Sequence, residues 1–185
     1  MRFFLLLLIT ISSQMVAQNR VSFFEEHIDF SIDSNYFYIN GIYSFRNWSA
    51  GDVNQIIGFP FASQTDSIDL INVTDLNALQ KVPFKTEKRA IFFNLQMLPN
   101  DTLDLNIQYR QKRATKNSYI ITSTQSWGKP LHKAIYSFTA PAHLQIKTFS
   151  YPPDSMVIKG DEKVYYWKKL NFMPQKEFDV ILNEE

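Results

Sequence analysis

Three histidines, His27, His132 and His143, supply every imidazole of the chain, and cysteine is absent. They stand far apart, and no H-E-x-x-H pattern or close histidine pair could place two metal ligands on one face of an element. Each histidine therefore fits a solvated surface position, and we expect no metal site. The absence of cysteine excludes disulfides, thiolate metal sites and cysteine nucleophiles.

Nucleotide-binding and hydrolase motifs are also missing. The five glycines, at positions 41, 51, 58, 128 and 160, cannot form G-x-G-x-x-G or G-x-x-x-x-G-K, and G-x-S-x-G does not occur. A Ser, His and Asp triad or a carboxylate pair could still be assembled by folding, because its members need not be neighbours in sequence. We predict no catalytic residues and no cofactor, and a secreted hydrolase without a recognisable motif remains an alternative.

The tryptophans are candidates for binding, because an aromatic ring can either fill a core or form a flat platform for a ligand. Trp48 and Trp127 fall in apparent turns, where ligands often bind, whereas Trp167 lies in a strand pattern typical of the core. Lys129 and His132 follow Trp127 closely. We therefore predict Trp48, Trp127, Lys129 and His132 as contact residues, with simple capping of the core as the alternative role of the rings.

Basic residues form one cluster, Arg110, Lys112, Arg113 and Lys116, with no acidic residue between them. It follows a clear strand pattern and fits either a solvated loop or an anion-binding tip for phosphate-bearing surface polymers. The chain as a whole has 19 basic and 18 acidic residues, a formal net charge of +1. This balance does not favour nucleic acid as a partner.

Alternating apolar and polar residues predict the elements that would hold these side chains. The alternation is clearest in 102–110 and typifies a strand with one buried face. It predicts three antiparallel hairpins: 28–32 with 36–45, 90–97 with 102–110, and 155–159 with 163–169. About ten to twelve strands, and at most one helical turn around 130–133, indicate an all-β antiparallel sandwich, immunoglobulin-like or related, rather than a parallel sheet.

The first residues predict a secretory signal. Met1 and Arg2 precede an apolar run, Phe3 to Ile11, and small residues follow up to Ala17. The run is shorter than the ~18 residues typical of a spanning helix, and no second such run occurs, so no transmembrane helix is expected in the mature chain. We predict a signal peptide over 1–18, with an uncleaved anchor as the alternative, and a single β-sandwich domain over 19–185.

The segment from Tyr119 to Ala134, Y-I-I-T-S-T-Q-S-W-G-K-P-L-H-K-A, resembles part of an uncharacterised family of exported bacterial β-sandwich proteins. Segments 39–47, 58–61 and 172–174 are similar to the rest of that pattern in type and order. The resemblance implies a secreted all-β domain, and it brings no activity, cofactor or catalytic residue.

The patterns together favour an exported, non-enzymatic binding or structural module of the periplasm, cell surface or extracellular space. Cell-surface polysaccharide or another exported protein would suit it as a partner. A small outer-membrane β-barrel is a further alternative, since the length suits about eight strands. Short strands, eight prolines and the ending Leu182-Asn183-Glu184-Glu185, which lacks a terminal aromatic residue, oppose it.

Overall fold

The computed structural model describes residues 20–63 and 67–183, so the predicted leader over 1–18 lies outside the described residues. The described chain forms fourteen strands and a 3-10 helix, Thr122–Trp127. The strands are β1 (Val21–Ile32), β2 (Tyr36–Asn47), β3 (Val53–Pro60), β4 (Ile68–Asp75), β5 (Gln80–Lys81), β6 (Phe84–Glu87), β7 (Ala90–Met97), β8 (Thr102–Lys112), β9 (Lys116–Tyr119), β10 (Leu131–Pro141), β11 (Ile146–Phe149), β12 (Ser155–Lys159), β13 (Glu162–Phe172) and β14 (Phe178–Leu182). The predicted all-β class is confirmed. More strands form than expected, because pieces as short as β5 show no alternation.

The strands form one large and two small sheets. The large sheet has eight strands in the order β12-β13-β10-β1-β2-β8-β4-β5, so β12 and β5 are its edge strands. Sheets β11-β14-β9 and β3-β7-β6 both pack on it. Ring contacts show this packing: Phe30 of β1 stacks on Phe178 of β14 at 4.6 Å, and Tyr43 of β2 meets Phe59 of β3 at 5.3 Å. The core therefore lies between the large sheet and the two small ones.

Strand pairing confirms two predicted hairpins and corrects the third. β1 pairs with β2, and β12 with β13, both antiparallel as expected. β7, however, pairs with β3 and β6, whereas β8 pairs with β2 and β4. The segment between β7 and β8 crosses from one layer to the other, and the last residue of β2 holds it. Asn47 donates from Nδ2 to the Leu98 carbonyl, and its amide oxygen accepts from the backbone N–H of Ser49.

The predicted helical turn is also displaced along the chain. Helical structure occurs at Thr122–Trp127, whereas β10 already begins at Leu131. Gly128 ends the helix with φ +70°, a left-handed conformation that glycine adopts without steric cost. Within the described ranges, no helix is long and apolar enough to cross a bilayer.

Candidate functional site

A cavity of about 300 Å³ lies between the large sheet and the small sheet β3-β7-β6. We call it the Glu26 cavity. Its lining residues are Phe23, Glu26, Tyr43, Phe45, Gln55, Ile56, Ile57, Gly58, Phe59, Pro60, Phe93, Ile107, Tyr119, Ile120, Ile121, Ser123, Thr124, Ser126 and Trp127. Gln55, Ile56, Gly58 and Ser126 are exposed, so the mouth lies between β3 and the 3-10 helix. The volume is at the lower end of the range of about 300–1,000 Å³ for small-molecule sites.

A β-bulge directs Glu26 into this cavity. Phe23 pairs with Phe45, but Glu25 already pairs with Ser44, so Phe24 is an extra residue in β1. The inward face changes parity at this point: Phe23 points into the core before the bulge, and Glu26 after it. The carboxyl group of Glu26 is thereby buried at 4% exposure within an apolar layer. A carboxyl group in such a place needs a polar partner.

Tyrosine hydroxyls surround this carboxyl group. Tyr136 of β10 donates a hydrogen bond to Glu26 Oε1. The hydroxyls of Tyr43 and Tyr119 are hydrogen-bonded to each other at 2.6 Å. Burial raises the pKa of Glu26 to about 7, and the Tyr136 hydrogen bond opposes this rise. Burial also raises the pKa of Tyr43, Tyr119 and Tyr136, so these phenols stay neutral at physiological pH.

Gly41 makes room for one of these tyrosines. It lies on the same face of β2 as Tyr43, whose ring folds back over it, so a Cβ atom on residue 41 would lie 2.6 Å from Tyr43 Cζ. The close approach at this glycine is therefore made by a side chain. The absence of a side chain at Gly41 allows the Tyr43 hydroxyl to reach Tyr119.

Replacing Gly41 with Ala should lower the free energy of unfolding by about 1–3 kcal/mol, because the buried Tyr43 ring must move and its hydrogen bond to Tyr119 is strained. Urea denaturation followed by circular dichroism measures the change. Gly51→Ala is the matched control, since a Cβ there meets nothing within 4 Å. Equal stability of the two variants would contradict the packing described for Tyr43.

The 3-10 helix forms another part of the cavity wall. Its start is held by Glu177, whose Oε2 accepts hydrogen bonds from the backbone N–H groups of Ile121 at 2.8 Å and Thr122 at 3.2 Å. At its end, Trp127 packs against Phe45 at 5.6 Å and Phe23 at 6.1 Å. Trp127, one of the predicted contact residues, is therefore part of the cavity wall.

The structure places the other predicted contact residues elsewhere. Trp48 is 53% exposed on the loop after β2, where Arg46 stacks over its ring at 4.1 Å and its indole N–H donates to Ser22 Oγ at 2.8 Å. Lys129 and His132 are exposed after the 3-10 helix and outside the cavity lining. The four residues do not form one site, and binding at Trp48, Lys129 or His132 stays a prediction.

The basic cluster lies at the end of β8 and the start of β9. Arg110 makes two hydrogen bonds to Asp69, one of them at 3.0 Å, which lower the pKa of that carboxyl group, and its guanidinium lies over Tyr36 at 3.8 Å. Lys116 pairs with Asp179 at 3.0 Å. Neighbouring strands thus supply acidic partners, Asp69 and Asp179, that the local sequence lacks. An anion-binding role for Arg110, Lys112, Arg113 and Lys116 stays a prediction.

One group of Ser, His and Asp side chains does meet in space. Asp29 Oδ1 accepts a hydrogen bond from Ser137 at 2.5 Å and lies 3.5 Å from His27 Nε2. Here the carboxylate stands between the other two, whereas in a catalytic triad the imidazole must contact the hydroxyl it deprotonates. His27 and Asp29 are about half exposed on β1, away from the cavity lining. Among the described residues, no cluster of three or more His, Asp or Glu side chains could hold a metal ion.

This chain resembles several proteins of known structure in its fold. No protein-family model matches the chain, and no curated protein is detectably similar to it. Among solved structures, a Legionella pneumophila protein provisionally described as a nutrient binding protein has a TM-score of 0.73 and 15% identity, over 90% of this chain and 68% of that chain. At this identity the likeness shows the fold alone.

Two enzyme structures are also similar. An M1 zinc metallopeptidase from Deinococcus radiodurans matches with a TM-score of 0.54 and 10% identity, over 89% of this chain and 43% of that chain. Yeast LTA4 hydrolase matches with a TM-score of 0.52 and 11% identity, over 88% of this chain and 29% of that chain. This chain therefore spans less than half the length of either protein.

Proposed function

We propose that this protein is an exported, non-enzymatic binding module that takes a small organic ligand into the Glu26 cavity. The observation that carries the proposal is a buried carboxyl group in an aromatic-lined cavity. Such a combination of an apolar lining with a few fixed polar groups is typical of small-molecule sites. Export is supported by the leader pattern over 1–18.

The cost of burying Glu26 also supports a binding role. A packed core of this size needs no ionisable group, and an apolar residue at position 26 would avoid the desolvation that burial imposes on a carboxylate. In the described residues, Tyr136 is the one hydrogen-bond donor to this carboxyl group, and it contacts Oε1. Oε2 is therefore available to a ligand that enters the cavity.

The likeness to the Legionella protein agrees with this proposal, since that protein is provisionally described as nutrient binding and shares the fold over 90% of this chain. The likeness to the M1 zinc metallopeptidase would favour a role in peptide hydrolysis only if the described residues offered a catalytic group. In the group around Asp29, the carboxylate stands between His27 and Ser137, so the imidazole is not placed to deprotonate the hydroxyl. Binding is therefore the function that the geometry supports best.

A compound screen tests the proposal. Chemically diverse small molecules, including cationic, neutral and anionic ones, are added to the purified mature protein, and the melting temperature and tryptophan fluorescence are recorded. At a hundred times its dissociation constant, a ligand stabilises the native state by about 2.7 kcal/mol, which is readily measured. We expect at least one compound to raise the melting temperature and to change the tryptophan emission, since Trp127 lines the cavity.

Two variants locate that binding. Ser123→Leu adds bulk to the cavity wall and should abolish the shift, whereas Ser155→Leu, on the exposed strand β12, should retain it. The proposal fails if no compound of any class stabilises the wild type. It fails equally if stabilisation survives in Ser123→Leu.

A further inference from the structure

We infer that the ligand of the Glu26 cavity carries an ammonium group, which pairs with the Glu26 carboxylate while aromatic rings surround its organic body. This inference rests on the proposed function and adds the chemical class of the ligand. It follows from the charge, the aromatic lining and the hydrogen-bond partners of the cavity.

The charge of the cavity is of one sign. Glu26 is the sole acidic lining residue, and no Lys, Arg or His is among the described residues that line the cavity. The titratable groups that face Glu26 are phenols from three strands, Tyr43 of β2, Tyr119 at the end of β9 and Tyr136 of β10, and burial raises the pKa of each. A ligand therefore meets either a neutral cavity or one with a single negative charge.

Aromatic rings line much of the remaining surface: Phe23, Tyr43, Phe45, Phe59, Phe93, Tyr119 and Trp127. The face of an aromatic ring attracts a cation, most strongly where water is excluded. An anionic ligand would be repelled by Glu26, whereas an ammonium group would give the buried carboxylate the charged partner that it lacks. The same cation would be stabilised by the ring faces, so both features favour one ligand class.

The sign of the pH dependence separates a cationic from a neutral ligand. A cation binds the ionised form of Glu26, so its affinity should fall when that carboxylate takes up a proton. A neutral hydrogen-bond acceptor binds the protonated form of Glu26, so its affinity should rise as the pH falls through the same range. With the pKa of Glu26 at about 7, a cation should bind about tenfold more weakly at pH 6 than at pH 8.

Benzylammonium and benzyl alcohol, which have nearly the same shape and differ in charge, are the probes. Titration calorimetry at pH 8 should show benzylammonium binding at least about tenfold more tightly than benzyl alcohol, since a charged partner strengthens a buried hydrogen bond. In Glu26→Gln, whose amide oxygen can still accept from Tyr136, the two affinities should become nearly equal. Glu25→Gln is the matched control, because Glu25 pairs with Lys133 on the outer face and should keep the preference.

Equal or tighter binding of benzyl alcohol by the wild type would overturn the inference, as would benzylammonium binding that Glu26→Gln leaves unchanged. If Glu26→Gln fails to fold, the wild-type comparison between pH 6 and pH 8 decides the matter alone. If neither probe binds but a compound of another class does, and Ser123→Leu abolishes that binding, the ammonium inference fails while the proposed function stands. If no compound binds, both fail.

Discussion

Replacing Phe30 with Ala should lower the free energy of unfolding by about 3–5 kcal/mol, among the largest effects expected for a single substitution here. Phe30 is 1% exposed and joins the layers of the sandwich. Its ring stacks on Phe37 at 5.5 Å and on Phe178 at 4.6 Å, and it meets the edge of Tyr119 at 5.3 Å. Truncation leaves a cavity that these neighbours cannot fill without leaving their own contacts.

Denaturation with urea, monitored by far-ultraviolet circular dichroism, measures this loss. Leu98→Ala is a suitable control, because Leu98 is 65% exposed after β7 and its removal should change stability by no more than about 0.5 kcal/mol. Similar midpoints for the two variants would show that the rings of β1 and β14 do not pack as described.

Glu26→Gln should stabilise the ligand-free protein at pH 8 by up to about 3 kcal/mol and have little effect near pH 4. The pKa of Glu26 is raised by burial from 4.5 to about 7, so the native state binds the proton more tightly than the unfolded chain does. The contribution of Glu26 to the free energy of unfolding therefore falls as the pH rises from about 4.5 to about 7, and is constant above that range. Glutamine carries no charge, so the variant does not lose free energy of unfolding at this position as the pH rises.

The measurement is the free energy of unfolding of the wild type and Glu26→Gln at pH 4.5, 6 and 8. The difference between them should grow with pH, and Glu25→Gln should show no comparable trend. A difference that is the same at all three pH values would mean that the Glu26 carboxyl group titrates as it does in water. Such a result would remove the electrostatic basis of the ligand-binding proposal.

Alternation along the chain predicts the fold class well, because the side chains of a half-buried strand must alternate between core and solvent. It predicts pairing only where a short turn leaves no choice, as between β12 and β13. β7 and β8 each show clear alternation, yet they belong to different sheets. Alternation identifies the buried face of a strand and carries no information about the strand that lies beside it.

The site was predictable only in part. The sequence singles out Trp127, because a tryptophan in a turn is conspicuous, whereas Glu26 stands between two other polar residues, Glu25 and His27, and attracts no prediction. A signal was nevertheless present, since Glu26 shares its parity with Ile28, Phe30 and Ile32, all of which are buried. What the sequence did not reveal was the bulge at Phe24, which depends on pairing with β2, and the arrival of Tyr136 from β10.

The pairing of β1 with β10 is parallel, whereas the other strand pairs in the described residues are antiparallel. This pairing brings the side chain of Tyr136 to Glu26, 110 positions earlier in the chain. Closing so long a loop is slow, because its entropy is lost before any contact is gained. One edge of β1 therefore stays unpaired until β10 reaches it, and Glu26 has no hydrogen-bond donor before these two distant strands have met.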